Sequence, residues 1–248
     1  MVRYLGNQFP RGYYKTFANG LLLLPNLGTW YGFNQISEYD AMGLRNYQQL
    51  KQHIGFFGGG MEVFNNMPNF NALRFLGAKY LVFPKNMGMY LIQKSPKQFR
   101  LAIMSERVVI LEQPAMPRAY ILNVPDRKQL DVMLKDLMIN PDESHVLSVK
   151  SYHLDKNGSE NVYYSISKPG FLVLNENYYP GWVAQLDNQH LEIENLLGLR
   201  VIPVPAGNHT INIFYKPNSF RQGLVLSLCS LFIWLILAIY AYKEPKTQ

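Results

Sequence analysis

Twenty consecutive residues from Gly223 to Tyr242, GLVLSLCSLFIWLILAIYAY, carry no charge. At ~1.5 Å rise per residue a helix of this length spans about 30 Å, the thickness of a bilayer's hydrocarbon core. Arg221 and Lys243 bracket the run. Tyr240 and Tyr242 stand at one end, Phe220 and Tyr215 near the other, as an interfacial aromatic belt requires. A core helix of a soluble protein is seldom apolar on every side. The run therefore predicts one transmembrane helix over residues 221–243, followed by a short tail at 244–248.

The remainder holds enough apolar material for a sizeable core, the whole chain being 48% hydrophobic with 17 tyrosines and 14 phenylalanines. The single cysteine, Cys229, lies in the apolar run, which excludes an internal disulfide and a cysteine-based zinc site. The formal charge is +7, but its 24 basic residues are scattered and form no run of five or more, so no nucleic-acid partner is expected. No uninterrupted apolar stretch of signal-peptide length stands at the N-terminus.

Two regions precede the span. Residues 1–140 mix helical and extended patterns. Met42, Leu44, Tyr47 and Leu50 suggest a short helix with one apolar side, and Gly58–Gly60 a loop. Asn69–Leu76 reads as a helix stopped by Gly77, and AKYLVF as a buried strand ending at Pro84. MYLIQK and RVVILE read as further strands. Asp126 caps a helix that places Leu130, Met133, Leu134, Leu137 and Met138 on one face. Residues 141–220 change to a period of two. HVLSVKSYHL and ENVYYSIS flank an Asn157-Gly158 hairpin turn. FLVLNEN, WVAQL, HLEIENL, RVIPV and HTINIFY follow, separated by turn signals. That spacing predicts an antiparallel β-sandwich. The fold class is α+β: a mixed α/β N-terminal region, a β-sandwich, then one transmembrane helix. KPNSFRQ joins the last two with almost no linker, so Lys216 and Arg221 fall near the lipid headgroups.

Catalytic motifs are absent: no HExxH, GxSxG, P-loop or GxGxxG occurs, and no two histidines stand at metal-ligand spacing on one element. No metal or cofactor is expected. Glu192 and Glu194 share one face of the HLEIENL strand, where a solvated surface explains them better than a hydrolase pair. The stretch NENYYPGWVAQLDN is richer. Tyr178, Tyr179 and Trp182, with Asp187 close by, offer aromatic faces and polar groups of the kind that bind a glycan. The same residues suit a sandwich corner still better, with Trp182 as plug and Pro180-Gly181 setting the bend.

LNENYYPGWVAQLDNQ and PAGNHTINIFYKPNSFRQGLVLSL resemble the C-terminal end of the YfhO-type bacterial membrane protein family. EYDAMGLRNYQQL, NALRFLGAKYLVF and PAMPRAYIL resemble earlier landmarks of that family, in the same order. The resemblance covers nearly the whole chain. It implies kinship to membrane-embedded GT-C-type glycosyltransferases that use polyprenyl-phosphate sugars and whose catalytic acid lies in an N-terminal half this chain does not contain. No catalytic residue carries over. The resemblance implies a non-catalytic, extracytoplasmic module at the bacterial cytoplasmic membrane, held by a single span. Its partners would be the bilayer, upstream helices of the same enzyme or a separate subunit, and a glycan or polyprenyl-linked sugar. Taken alone, a lone C-terminal span would leave the soluble part in the cytoplasm, so a fragment or split gene product is expected. The alternative is a membrane-tethered scaffold that binds no sugar.

Overall fold

The computed structural model describes residues 14–18, 22, 34–36 and 69–243, apart from 143, 145, 156 and 188. The helix expected near residues 42–50 and the glycine loop at 58–60 lie outside the described residues.

The chain is α+β, and its described residues form three five-stranded sheets. The first sheet has the order β2-β1-β3-β5-β4 and comprises β1 (Lys15–Ala18), β2 (Asn34–Gln35), β3 (Ala78–Pro84), β4 (Arg100–Met104) and β5 (Val108–Glu112). Strands β2, β1 and β3 run parallel, while β3, β5 and β4 are antiparallel. Helix α1 (Phe70–Phe75) begins where the Asn69 side chain accepts from Ala72 N, and ends at Gly77, whose φ of +83° reverses the chain into β3.

MYLIQK is not a strand. It belongs to helix α2 (Lys85–Lys94), which Pro84 opens at φ −54°. The helix brings Gly88 and Leu91, three residues apart, to one buried face. A Cβ on Gly88 would stand 2.0 Å from Val109 Cγ2, so the glycine lets the helix lie directly on β5. Helix α3 (Arg127–Ile139) starts as expected, with Gln129 N donating to Asp126 Oδ1 at 2.9 Å, and buries Leu130, Leu134, Leu137 and Met138.

The second and third sheets form the sandwich. One has the order β13-β14-β10-β6-β7, from β6 (Ala119–Leu122), β7 (Leu147–Ser148), β10 (Gly170–Asn177), β13 (Glu194–Leu196) and β14 (Leu199–Val204). Its partner, β12-β11-β15-β9-β8, comprises β8 (Ser151–Leu154), β9 (Glu160–Ile166), β11 (Trp182–Leu186), β12 (Gln189–Leu191) and β15 (Gly207–Tyr215). All pairings in both are antiparallel.

The sheet centred on β10 is buried on both faces. Ile121, Leu172, Leu174, Ile202 and Val204 meet Val162, Tyr164, Ala184, Ile211 and Ile213 of the partner sheet. The opposite parity, including Tyr120, Leu122, Val173, Leu199 and Val201, joins Phe75, Leu81, Phe83, Leu130 and Leu134 in the other core. A boundary at residue 140 runs through this arrangement: β6, from before it, pairs with β10, from after it.

HLEIENL is likewise not one strand. It divides at Glu192-Ile193, between β12 in one sheet and β13 in the other, with Ile193 turned into the sandwich core. Glu192 and Glu194 therefore do not share a strand face, and Glu194 is bound to Arg127 of α3.

Helix α4 (Asn218–Lys243) follows β15 after two residues. Its segment Asn218–Tyr240 has a mean hydropathy of 2.4 in its most apolar window, and none of that window is buried against the rest of the chain. It is the one helix among the described residues long and apolar enough to cross a membrane. A surface of this kind fits association with a lipid bilayer.

Candidate functional site: an aromatic corner at the root of the span

Strand β10 leaves the sandwich at Tyr178, turns through Tyr179-Pro180-Gly181 and re-enters as β11 at Trp182. Tyr178 N donates to Gly198 O at 2.8 Å, and Lys216 N to Gly181 O at 2.7 Å. Gly181 has φ +112°, and a Cβ there would stand 3.0 Å from both Pro217 Cα and Tyr215 Cε2. Only glycine fits this crossing. It fastens the corner to the two residues that lead into α4.

Trp182 pairs with Tyr215 in the β11–β15 register, their ring centroids 5.3 Å apart. Tyr179 stands 6.2 Å from the same Tyr215 ring. Tyr179 and Tyr215 are exposed, whereas Tyr178 and Trp182 are half-buried against the sandwich core. The Arg200 guanidinium lies 4.0 Å from the Trp182 ring centroid. Cation–π contact of this kind covers the indole. Trp182 is thus committed to the fold on two sides.

Asp187 is not part of this corner. It follows the last residue of β11, five residues from Trp182, and at ~3.3 Å per residue the two are about 16 Å apart along the strand direction. There Asp187 adopts φ +49° and its carboxylate lies 3.0 Å from His209 Nδ1. The other ring nitrogen, Nε2, is 3.2 Å from Ala206 O. Burial, with Asp187 adding to it, pushes the neighbouring Tyr164 phenol up to about 12. Asp187 and His209 link the β11–β12 turn to the β14–β15 turn.

Behind the corner lies a charge cluster that sequence reading passed over. Arg200 Nη2 donates to Glu160 Oε1 at 2.9 Å, with each side chain 2% exposed. Arg118 lies 3.8 Å from the same oxygen, and its Nε is 2.9 Å from Glu176 Oε1. Lys15 completes the cluster, 3.2 Å from Glu176 and donating to Asn175 O at 2.7 Å. Burial works against the Glu176 carboxylate, but Arg118, then Lys15 and Arg200, outweigh it and hold the group down to about 2. Burial pushes the Tyr152 phenol well above its ordinary range, so it stays protonated beside Arg118, whose guanidinium is 5.3 Å from the Tyr152 ring centroid.

The signal for this cluster was parity. Glu160 shares its side of β9 with Val162, Tyr164 and Ile166, and Arg200 its side of β14 with Ile202 and Val204. A charge on an inward position needs a partner, and here five charged residues from β1, β9, β10, β14 and the approach to β6 supply one another. The cluster ties the first sheet to both layers of the sandwich. Among the described residues no three His, Cys, Asp or Glu side chains form a group able to hold a metal ion.

No family model, curated protein or solved structure matches this chain.

Proposed function

We propose that the chain is the extracytoplasmic, membrane-anchored C-terminal module of a multi-spanning, polyprenyl-phosphate-sugar-dependent glycosyltransferase of the cell envelope. Its own part is to orient the acceptor glycan, with the chemistry supplied elsewhere. The supporting observation is the seat of the aromatic corner: Tyr179 and Tyr215 are exposed, and Gly181 is bonded to the residue preceding Pro217 at the root of α4. Aromatic faces held there would grip a sugar chain beside the headgroups, where a lipid-linked donor reacts. Tyr179 and Tyr215 would make the contacts, Tyr178 and Trp182 would support them, and Asp187 would act apart from them.

The test is titration of the full chain, in neutral detergent, with oligosaccharide fragments of the envelope. Saturable binding that Tyr179→Ala and Tyr215→Ala each weaken about ten-fold, the loss expected for one stacking contact of ~1.4 kcal/mol, supports the reading. Absence of saturable binding overturns it. The parent assignment is tested by immunoblotting native membranes: a polypeptide several times larger than 28.7 kDa supports a full-length transferase.

The second reading, a scaffold that binds no sugar, is favoured by an apolar groove along α3. This cavity of about 580 Å3 sets Val124, Val132, Met133 and Leu137 beside polar residues that include Lys128 and Asp136, with Val132 exposed.

A further inference from the structure

A second cavity, of about 460 Å3, opens beside the first sheet, between the β3 and β5 ends and the turn after α2. Its volume falls in the range of small-molecule sites. Among its described lining residues are three cations, Lys79, Lys97 and Arg100, and one carboxylate, Glu112. Glu112 Oε1 lies 3.3 Å from Lys79 Nζ and 4.0 Å from Arg100 Nη2, so a single anion serves two cations. Lys97 is exposed on the rim. The described lining therefore carries two positive charges beyond what Glu112 balances. Lys79 is held in place by aromatic rings, 4.7 Å from the Tyr14 centroid and 5.8 Å from that of Tyr80.

Gln113, also in the lining, is only 2% exposed. Its Nε2 donates to Ala78 O at 2.9 Å, which fixes the amide's orientation. Its Oε1 has no hydrogen-bond partner. A buried acceptor left without a donor is costly. The site thus combines a double positive charge with a fixed acceptor.

We propose that this cavity binds a phosphorylated sugar. A phosphate monoester near neutral pH carries close to two negative charges and matches Lys79, Lys97 and Arg100. A ring hydroxyl gives Gln113 Oε1 its donor, and Glu112 accepts from a second hydroxyl. Each requirement excludes a simpler ligand: a neutral sugar leaves the charge unanswered, and a bare anion makes poor use of Gln113. The site is separate from the aromatic corner and stands whether or not the corner takes a glycan.

The test uses calorimetric titration of the full chain, in neutral detergent, with glucose 6-phosphate, free glucose and glycerol 3-phosphate. Saturable binding of glucose 6-phosphate is expected, with free glucose much weaker. Lys97→Ala combined with Arg100→Ala should weaken it at least about ten-fold, the loss that follows when charge-assisted hydrogen bonds are removed. Both side chains are exposed, so the fold should survive, and an unchanged unfolding temperature verifies it. Lys128→Ala, on α3, should bind as the parent does. No binding of glucose 6-phosphate, or equal binding by the double variant, overturns the proposal. A preference for glycerol 3-phosphate would identify a lipid headgroup as the source of the phosphate and overturn the sugar assignment.

Discussion

The Arg200 guanidinium lies 4.0 Å from the Trp182 ring centroid while donating to Glu160 at 2.9 Å, so one side chain joins the aromatic corner to a buried ion pair. The contact unites β14 of one sheet with β11 and β9 of the other. It makes the corner's shape depend on a charge that is almost fully out of water.

Arg200→Ala should therefore be severely destabilising. It leaves Glu160 in the interior with only the longer 3.8 Å approach of Arg118, and breaking a buried pair from one side costs about 3–5 kcal/mol. Replacing both partners, as Arg200→Met with Glu160→Leu, should recover much of that loss, although Arg118 then loses one of its two carboxylates. Urea unfolding of the two variants measures the difference. Equal stability of Arg200→Ala and the parent would contradict the pairing.

Glu176 gives a pH dependence with a definite sign. Its carboxyl is held down to about 2 from an ordinary value near 4.5, so the folded state prefers the charged form. The contribution is fully present above the unfolded value and is lost as pH falls from there through about 2. A shift of this size corresponds to about 3 kcal/mol. Thermal unfolding between pH 5 and 2 should show a steep loss in the parent, and Glu176→Gln should be less stable at neutral pH and flatter across that window.

Gly181 and Gly158 form a natural comparison, since both have positive φ, +112° and +85°. A Cβ on Gly158 meets nothing within 4 Å, whereas one on Gly181 meets Pro217 and Tyr215 at 3.0 Å. Gly158→Ala should cost about 1 kcal/mol from backbone strain alone. Gly181→Ala should cost about 2–4 kcal/mol by adding a backbone clash to it. It should also change the near-ultraviolet signal of Trp182 and Tyr215, which Gly158→Ala should leave alone.

Where α2 lies on β5, Gly88→Ala drives a methyl into Val109 and should destabilise by about 1–3 kcal/mol, as overpacking does. Val109→Ala in the same chain should relieve part of the clash. Differential scanning calorimetry of the single and double variants tests the coupling. If the two effects simply add, α2 does not lie on β5 as described.

Much of the fold was legible along the chain because local chemistry specifies it. Asp126 caps α3 and Gly77 stops α1, as their residue types require. Asn157-Gly158 turns β8 into β9, and the strands up to Tyr215 alternate as a sandwich demands. The uncharged run after Arg221 could only be a helix with an apolar surface on all sides.

Other features depended on neighbours distant in sequence. In MYLIQK only Tyr90 and Ile92 favour a strand, while Met89, Leu91, Gln93 and Lys94 favour a helix, and the helix sets Gly88 against Val109 and Leu91 into the core. HLEIENL alternates like one strand, yet it divides between two sheets to bury Ile193 and to bring Glu194 to Arg127.

The candidate site shows the same limit. Tyr178, Tyr179 and Trp182 are adjacent in sequence and stay adjacent in space, because a three-residue corner cannot separate them. Asp187, on the same short stretch, is carried off by the length of β11 and meets His209 instead. Lys15, Arg118, Glu160, Glu176 and Arg200 are spread over 186 positions, from residue 15 to residue 200. The sequence by itself determined which segments pair locally, where α1 and α3 begin and stop, and that the last helix is apolar enough for a bilayer. Only the tertiary structure decided which charges meet in the interior and which rings they cover, because a buried charge is specified by its partner and not by its neighbours along the chain.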